Sequence, residues 1–178
     1  MSAVPDETSI VDPDRFGAVF DAHYGEIRRY IGRRLDIATA EDLAAETFLI
    51  AFRRRGRFDP GRGAVRPWLY GIATNLVNRH RRAELRRYRV LARTGPPADD
   101  DGHDQRVVDR VAAGVTVGRL SEALARLSRG ERDAVLLAAY GELTYDEIAE
   151  ALGVACGTVA SRLSRARTKL RDWLGVEV

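Results

Sequence analysis

LTYDEIAEALGVACGTVASRLSRARTKLR, running from Leu143 to Arg171, reads as two helices hinged on a glycine. Thr144 and Glu147 have the T-x-x-E spacing of a capping box, in which each side chain satisfies a free backbone N–H at a helix start. Ile148, Ala149 and Leu152 recur at helical spacing, and Gly153 supplies the stop. The next helix carries Val159, Leu163, Leu170 and Leu174 on one side and polar or basic residues on the other. Two short helices joined through a glycine, the second one basic, are the sequence shape of a helix-turn-helix. Ile148, Leu152, Val154, Val159 and Leu163 are placed to fix the angle between the helices, and the small Ala149 suits their close approach. Thr158, Ser161, Arg162, Ser164, Arg165 and Lys169 are left for solvent or DNA. Arginine pairs bidentately with guanine, and hydroxyls bond base edges or phosphates.

Helical periodicity extends upstream, and strand alternation is nearly absent. Leu120, Leu124 and Leu127 form a stripe, and Ser128 with Glu131 makes a second capping box before Val135, Leu136 and Tyr140. Nearer the N-terminus, Phe16, Val19, Phe20, His23, Tyr24, Ile27, Tyr30 and Ile31 mark one face of a helix from about Arg15 to Leu35. A second helix is expected from Thr39, capped by Thr39 with Asp42, and carries Leu43, Phe48, Leu49 and Phe52. Asp59-Pro60-Gly61 and Gly63 break it. A third starts near Pro67, with Trp68 read as core, and continues through a run of arginines to about Arg93. Gly95-Pro96-Pro97 and the acidic run Asp99, Asp100, Asp101 have nothing to build a core with and read as a linker. The expected fold is therefore all-α: two small helical domains joined by a flexible linker, the C-terminal one a helix-turn-helix. The expected boundaries are a flexible tail at 1–13, a first domain at 14–93, an acidic linker at 94–117 and a second domain at 118–175.

Composition narrows the function. A hydrophobic share of 45% over 178 residues supports a packed core. The formal charge of +3 is small, but basic residues cluster in two places, and a local cluster is what a nucleic acid feels. With one cysteine, Cys156, neither an intrachain disulfide nor a multi-cysteine metal site is available, and Cys156 is read as a small packing residue. The polar, acidic stretch Met1–Ser9 does not look like a secretory signal, and the longest apolar run, Ala134–Tyr140, is too short to cross a bilayer. A cytoplasmic protein without membrane insertion is expected. His23, His80 and His103 are scattered, and no carboxylate–histidine spacing suggests a metal or catalytic centre. No enzymatic activity, cofactor or metal is expected.

The second basic cluster lies on the third helix: Asn75, Arg79, His80, Arg81 and Arg82, followed by Arg86, Arg87, Arg89 and Arg93. So many arginines repel one another unless an anion is near, and phosphate is the obvious one. The preceding loop, Arg57–Arg66, mixes arginine with glycine, so it can approach a backbone closely and enclose an unstacked base. Asn75 is placed to bond a base edge, and Trp68 and Tyr70 are aromatic candidates for stacking on one.

Three motifs, in this order, resemble the extracytoplasmic-function (ECF) sigma factors, the smallest of the main bacterial sigma family. AEDLAAETFLIAF, Ala40–Phe52, is similar to their polymerase-binding helix; RPWLYGIATNLVNRHRR, Arg66–Arg82, to the element that reads and melts the −10 region; and Leu143–Arg171 to their −35 helix-turn-helix. The resemblance implies a sigma factor that binds core RNA polymerase, recognises −35 and −10 promoter elements and promotes DNA melting. It implies that Asp42, Glu46, Leu49 and Arg53 meet the polymerase, and that Asn75, with Arg79, Arg81 and Arg82 beside it, meets −10 DNA. It implies too that Thr158, Ser161, Arg162, Ser164, Arg165 and Lys169 meet −35 DNA. Members are often held inactive by an anti-sigma partner. The family often has glutamine where Ala45 stands, a basic residue at Ala160 and proline at Cys156 or Ala155. A linker of about 24 residues reaches at most ~80 Å, enough for two DNA sites two helical turns apart, ~70 Å. An ordinary helix-turn-helix regulator would leave Ala40–Phe52 unexplained.

Overall fold

A computed structural model describes residue 10 and residues 12–61, 63–94 and 114–174. Within them lie seven α-helices and no strand: α1 (Phe16–Gly32), α2 (Ile37–Arg54), α3 (Val65–Thr94), α4 (Gly114–Arg126), α5 (Arg129–Tyr140), α6 (Tyr145–Leu152) and α7 (Cys156–Leu174). The expected tail falls largely outside the described residues, as does the acidic run of the linker; α4 begins at Gly114.

Local chemistry sets most helix ends. Both capping boxes form, Ser128 with Glu131 at α5 and Thr144 with Glu147 at α6. Gly153 closes α6 in the left-handed region at φ 63°, donating its N–H to the Ala149 and Glu150 carbonyls. The start of α2 differs from expectation. Asp36, not Thr39 with Asp42, is the cap: one carboxylate oxygen accepts from the Thr39 backbone N–H at 3.0 Å and the other from its hydroxyl at 2.7 Å. An aspartate just outside the helix reaches N3 without sacrificing a turn, so the helix starts two residues earlier than the Thr39 reading places it. Hydrogen bonds from the Thr39 N–H and hydroxyl hold the Asp36 carboxyl below its ordinary range. In α3, Pro67 sits in the first turn, where its missing N–H costs nothing.

In the N-terminal half, α1, α2 and α3 bury Ile27, Tyr30, Ile31, Phe48, Leu69 and Val77. In the C-terminal half, α5, α6 and α7 bury Leu137, Ile148, Val159 and Leu163. These two sets belong to one continuous core, because α3 packs directly on α6. The backbones meet closely: a Cβ on Gly71 would lie 2.5 Å from the Ala151 carbonyl oxygen. Gly141 lies against Tyr70 less closely, where a Cβ would stand 3.3 Å from the ring. The halves thus share an interface that the linker reading did not anticipate.

That interface has a polar centre. Arg34 Nη2 donates to Asp133 Oδ1 at 2.8 Å and to Asn78 Oδ1 at 3.1 Å, and Asn78 Nδ2 donates to Asp133 Oδ2 at 2.7 Å. Arg34 Nη1 reaches the Tyr30 hydroxyl at 3.2 Å, which is hydrogen-bonded to Thr74. Arg34 and Asp133 are each only 4% exposed. A partly buried bridge lies nearby: Arg66 Nε donates to Glu26 at 3.0 Å and its Nη2 to the Gly141 carbonyl at 2.6 Å.

Gly153→Val tests the left-handed stop. The β-branched side chain should cost about 1–2 kcal/mol, seen as a lower urea midpoint with unchanged helicity. An unchanged midpoint would show that α6 can end another way.

Candidate nucleic-acid and polymerase interfaces

Asp42, Glu46, Leu49 and Arg53 follow one another at helical spacing on α2. Phe48, Ala44 and Ala51 point into the core, which turns this stripe outward. Asp42 and Arg53 are exposed and Leu49 is 48% exposed, so an apolar side chain stands in water between two charges. Ala45, on the same side, is exposed too.

Asn75, Arg79 and Arg82 make a comparable stripe on α3, all exposed. Arg79 pairs with Glu46, tying the candidate −10 stripe to the candidate polymerase stripe. Arg82 Nε donates to the Asn78 carbonyl at 3.2 Å, and half-buried Arg81 to the Arg34 carbonyl at 3.0 Å. Farther along, Leu85 and Tyr88 stand exposed among Arg86, Arg87 and Arg89. Trp68 packs partly buried against Phe58, ring centroids 5.2 Å apart, as expected of a core residue. Tyr70 is fully buried, so stacking on a base from this position is ruled out in this arrangement. Burial and the Glu26 charge push its hydroxyl pKa well up. Burial pushes the Glu26 carboxyl up, but hydrogen bonds from His23 and Arg66 outweigh it and hold the group below its ordinary value.

On α7, Thr158, Arg162, Arg165 and Lys169 fall on one side, the last three of them facing the start of α5, while Ser161 and Ser164 are exposed on its flank. Ser161 donates its hydroxyl proton to the Gly157 carbonyl at 2.6 Å. Arg162 lies over Gly130, where an added Cβ would be 2.9 Å from its guanidinium carbon. Lys169 Nζ bonds both Glu131 oxygens at 3.0 and 2.9 Å, and Arg165 Nε is 3.5 Å from one of them. Glu131 is buried, and the Lys169 bond holds its carboxyl down at about 2 against desolvation, with Ser128 assisting. Sequence reasoning assigned Glu131 to the capping box alone; the lysine reaches it from 38 residues away, and no local pattern announces that.

Cys156 is exposed at the first position of α7, contrary to its reading as a packing residue. The α7 side that packs is set by Val159, Leu163 and Ala166, and Cys156 is off that stripe. The Asp146 carboxyl beside it raises the thiol above its usual range, which disfavours the reactive thiolate. Among the described residues no group of three or more histidine, cysteine or acidic side chains is placed to hold a metal, and no helix is long and apolar enough to cross a membrane.

Two family models match the chain, one in each half. Residues 19–87 match the model for Sigma-70 region 2 and residues 118–170 the model for Sigma-70, region 4. ECF RNA polymerase sigma factor BldN of Streptomyces coelicolor is 33% identical over 156 residues, 87% of this chain and 58% of BldN. RNA polymerase sigma factor CarQ of Myxococcus xanthus is 32% identical over 166 residues, 91% of this chain and 90% of CarQ. In fold, the chain matches the sigma factor RpoE solved with the anti-sigma factor NepR from Bartonella quintana, with a TM-score of 0.67 at 24% identity over 92% of this chain and 98% of that one. A helical protein with sigma regions 2 and 4 in order is a sigma factor of the sigma-70 class. Within that class, the chain belongs to the ECF sigma factors.

Glu131 makes the C-terminal half acid-sensitive. Its folded pKa lies below the ordinary 4.5, so its stabilisation is complete above that value and is lost as pH falls from about 4.5 toward about 2. Thermal midpoints across this window should fall more steeply for the parent chain than for Glu131→Gln; parallel slopes would refute the assignment.

Proposed function

We propose that the chain directs bacterial core RNA polymerase to promoters, recognising a −35 element with α7 and a −10 element with α3 and its preceding loop, and that it helps melt the DNA there. The observation that carries the reading is the order of three surfaces along one chain: the outward α2 stripe, the basic α3 stripe behind a glycine-containing loop, and the basic second helix of a helix-turn-helix. A lone DNA-binding regulator has use for the third but not for the first.

The α2 stripe suits a protein partner because Leu49 supplies an apolar anchor and Asp42, Glu46 and Arg53 a charged rim. Asn75, Arg79, Arg81 and Arg82 supply one amide and three cations for a base and its phosphates. Arg165 and Arg162, with Ser161, Ser164 and Thr158, reach the major groove, while Lys169 braces the helix on Glu131. All bond-making chemistry belongs to the polymerase, so the chain is not itself an enzyme and needs no cofactor. The work is cytoplasmic, where polymerase and promoter are. RpoE was solved with the anti-sigma factor NepR, and CnrH with the cytosolic domain of CnrY; an anti-sigma partner is proposed here by likeness to the first.

Run-off transcription with purified core polymerase on a genomic promoter library is the direct test. Discrete start sites that need the chain are expected; no new transcripts and no co-elution with core would return it to the plain regulator. Leu49→Asp should weaken co-elution with core by about tenfold or more while helicity is retained. Arg165→Ala should cost about 1–3 kcal/mol at the −35 element, and Asn75→Ala should impair open-complex formation with core binding intact. Loss of core binding in Asn75→Ala would overturn the assignment of that stripe.

A further inference from the structure

Arg162, Arg165 and Lys169 of α7 all lie over the first turn of α5. That turn is the positive end of a helix dipole, so cations gathered there repel it unless an anion stands among the backbone N–H groups. Glu131 is the acidic residue of the turn. A carboxylate has acceptor room for about four donors, and the surroundings fill it. Oε2 accepts from the Ser128 N–H at 3.0 Å and from Lys169 Nζ at 2.9 Å; Oε1 accepts from Lys169 Nζ at 3.0 Å and has Arg165 Nε 3.5 Å away. The Glu131 side chain is 4% exposed, whereas those of Lys169 and Arg165 are 41% and 60% exposed. Two cations therefore reach down from water to one buried anion. A buried carboxylate stripped of its cation is strongly destabilised, so one of the two has to stay. Lys169 makes two short charge-assisted bonds, while Arg165 stands outside the ordinary range of roughly 2.7–3.2 Å. With Lys169 in place, Arg165 can leave for DNA without stranding Glu131.

We propose that Glu131 is a positioning residue for −35 reading: by holding Lys169 it seats α7 on α5, releases Arg165 to the bases and keeps one cation out of sequence-blind phosphate binding. This deepens, and rests on, the reading of α7 as the −35 helix. The two single variants then fail in opposite ways. Glu131→Gln keeps an oxygen for the cap but removes the charge, so Lys169 is freed to pair with any phosphate it meets. Lys169→Gln leaves the buried charge to Arg165, which the protein then captures. Glutamine at both positions removes the charge together with the demand for a cation, and an amide pair rebuilds the seat.

The full chain, assembled with purified core polymerase, is tested on an intact promoter and on the same promoter with its −35 element scrambled, over a series of salt concentrations. The parent should prefer the intact promoter, and each single variant should lose about tenfold of that preference. In Glu131→Gln the loss comes from tighter binding to the scrambled promoter, and the slope of log affinity against log salt steepens by about 1. In Lys169→Gln it comes from weaker binding to the intact promoter, and the slope becomes shallower by about 1. The double variant should regain most of the preference, which a mere folding defect would not do. An unchanged preference in Glu131→Gln, or a double variant no better than Lys169→Gln alone, would overturn the proposal. If Glu131→Gln loses helicity, Arg165 decides. In the Lys169→Gln background Arg165→Ala should cause no further loss, because the arginine is already withdrawn; a loss as large as in the parent would overturn the proposal. A parent blind to the scrambled −35 element would overturn the reading of α7 itself, and the proposal with it.

Discussion

A carboxylate taken out of water must be met by donors, and Asp133 is met from the other half of the molecule. Arg34 and Asn78 approach it on opposite oxygens, so the docking of the two halves has a single register. Such a pair adds little net stability, because desolvating each ion costs several kcal/mol. Here the balance is poorer still: Arg34 Nε is buried with no acceptor among the described residues, an omission worth about 1–3 kcal/mol. Yet deleting one partner of such a pair strands the other charge, at about 3–5 kcal/mol. The pair therefore fixes the register of the interface while adding little net stability to it.

The first turn of α5 is the point from which the C-terminal half is organised. Glu131, Arg132 and Asp133 are consecutive, so their side chains leave the helix about 100° apart. Glu131 reaches α7 through Lys169 and Arg165. Arg132 donates to the Leu124, Ala125 and Leu127 carbonyls at the end of α4, where a cation also suits the helix dipole. Asp133 reaches Arg34 and Asn78. Three neighbouring charges thus fasten one helix to three different surroundings, and the position of the recognition helix is coupled through α5 to the docking of the halves.

What the sequence disclosed follows from the range over which each interaction acts. The two capping boxes and the Gly153 stop were legible because their partners are three or four residues apart. The α2 cap was misread at the same range, because Thr39 can accept at a helix start as well as donate to Asp36, and composition does not say which. The candidate residues on α2 were named from the family resemblance, and those on α3 and α7 from runs of basic and polar side chains. Their engagement in the folded chain, Glu46 with Arg79 and Glu131 with Lys169, was not, since each joins residues more than thirty positions apart. Gly71 looked like an ordinary weak point in a helix; only the Ala151 carbonyl lying against it explains why no side chain fits. Cys156 sits at a position where small size suggested packing, and the stripe of Val159, Leu163 and Ala166 leaves it outside.

The internal pairs also constrain how the proposed DNA-reading surfaces divide their labour. Arg79 with Glu46 is an exposed pair, worth about 0–1 kcal/mol, so a phosphate can take Arg79 with little loss. Glu131 is different: it is buried, and its charge must stay compensated whether or not DNA is present. Lys169 makes both short contacts to it and Arg165 only a 3.5 Å approach from a side chain 60% exposed. Lys169 is then the residue that stays, holding α7 against α5, and Arg165 the one that swings away to a guanine. A cation fixed on a buried carboxylate beside a cation loosely held by it gives the helix both a fixed seat and a reading side chain, from a single glutamate that also closes the cap of α5.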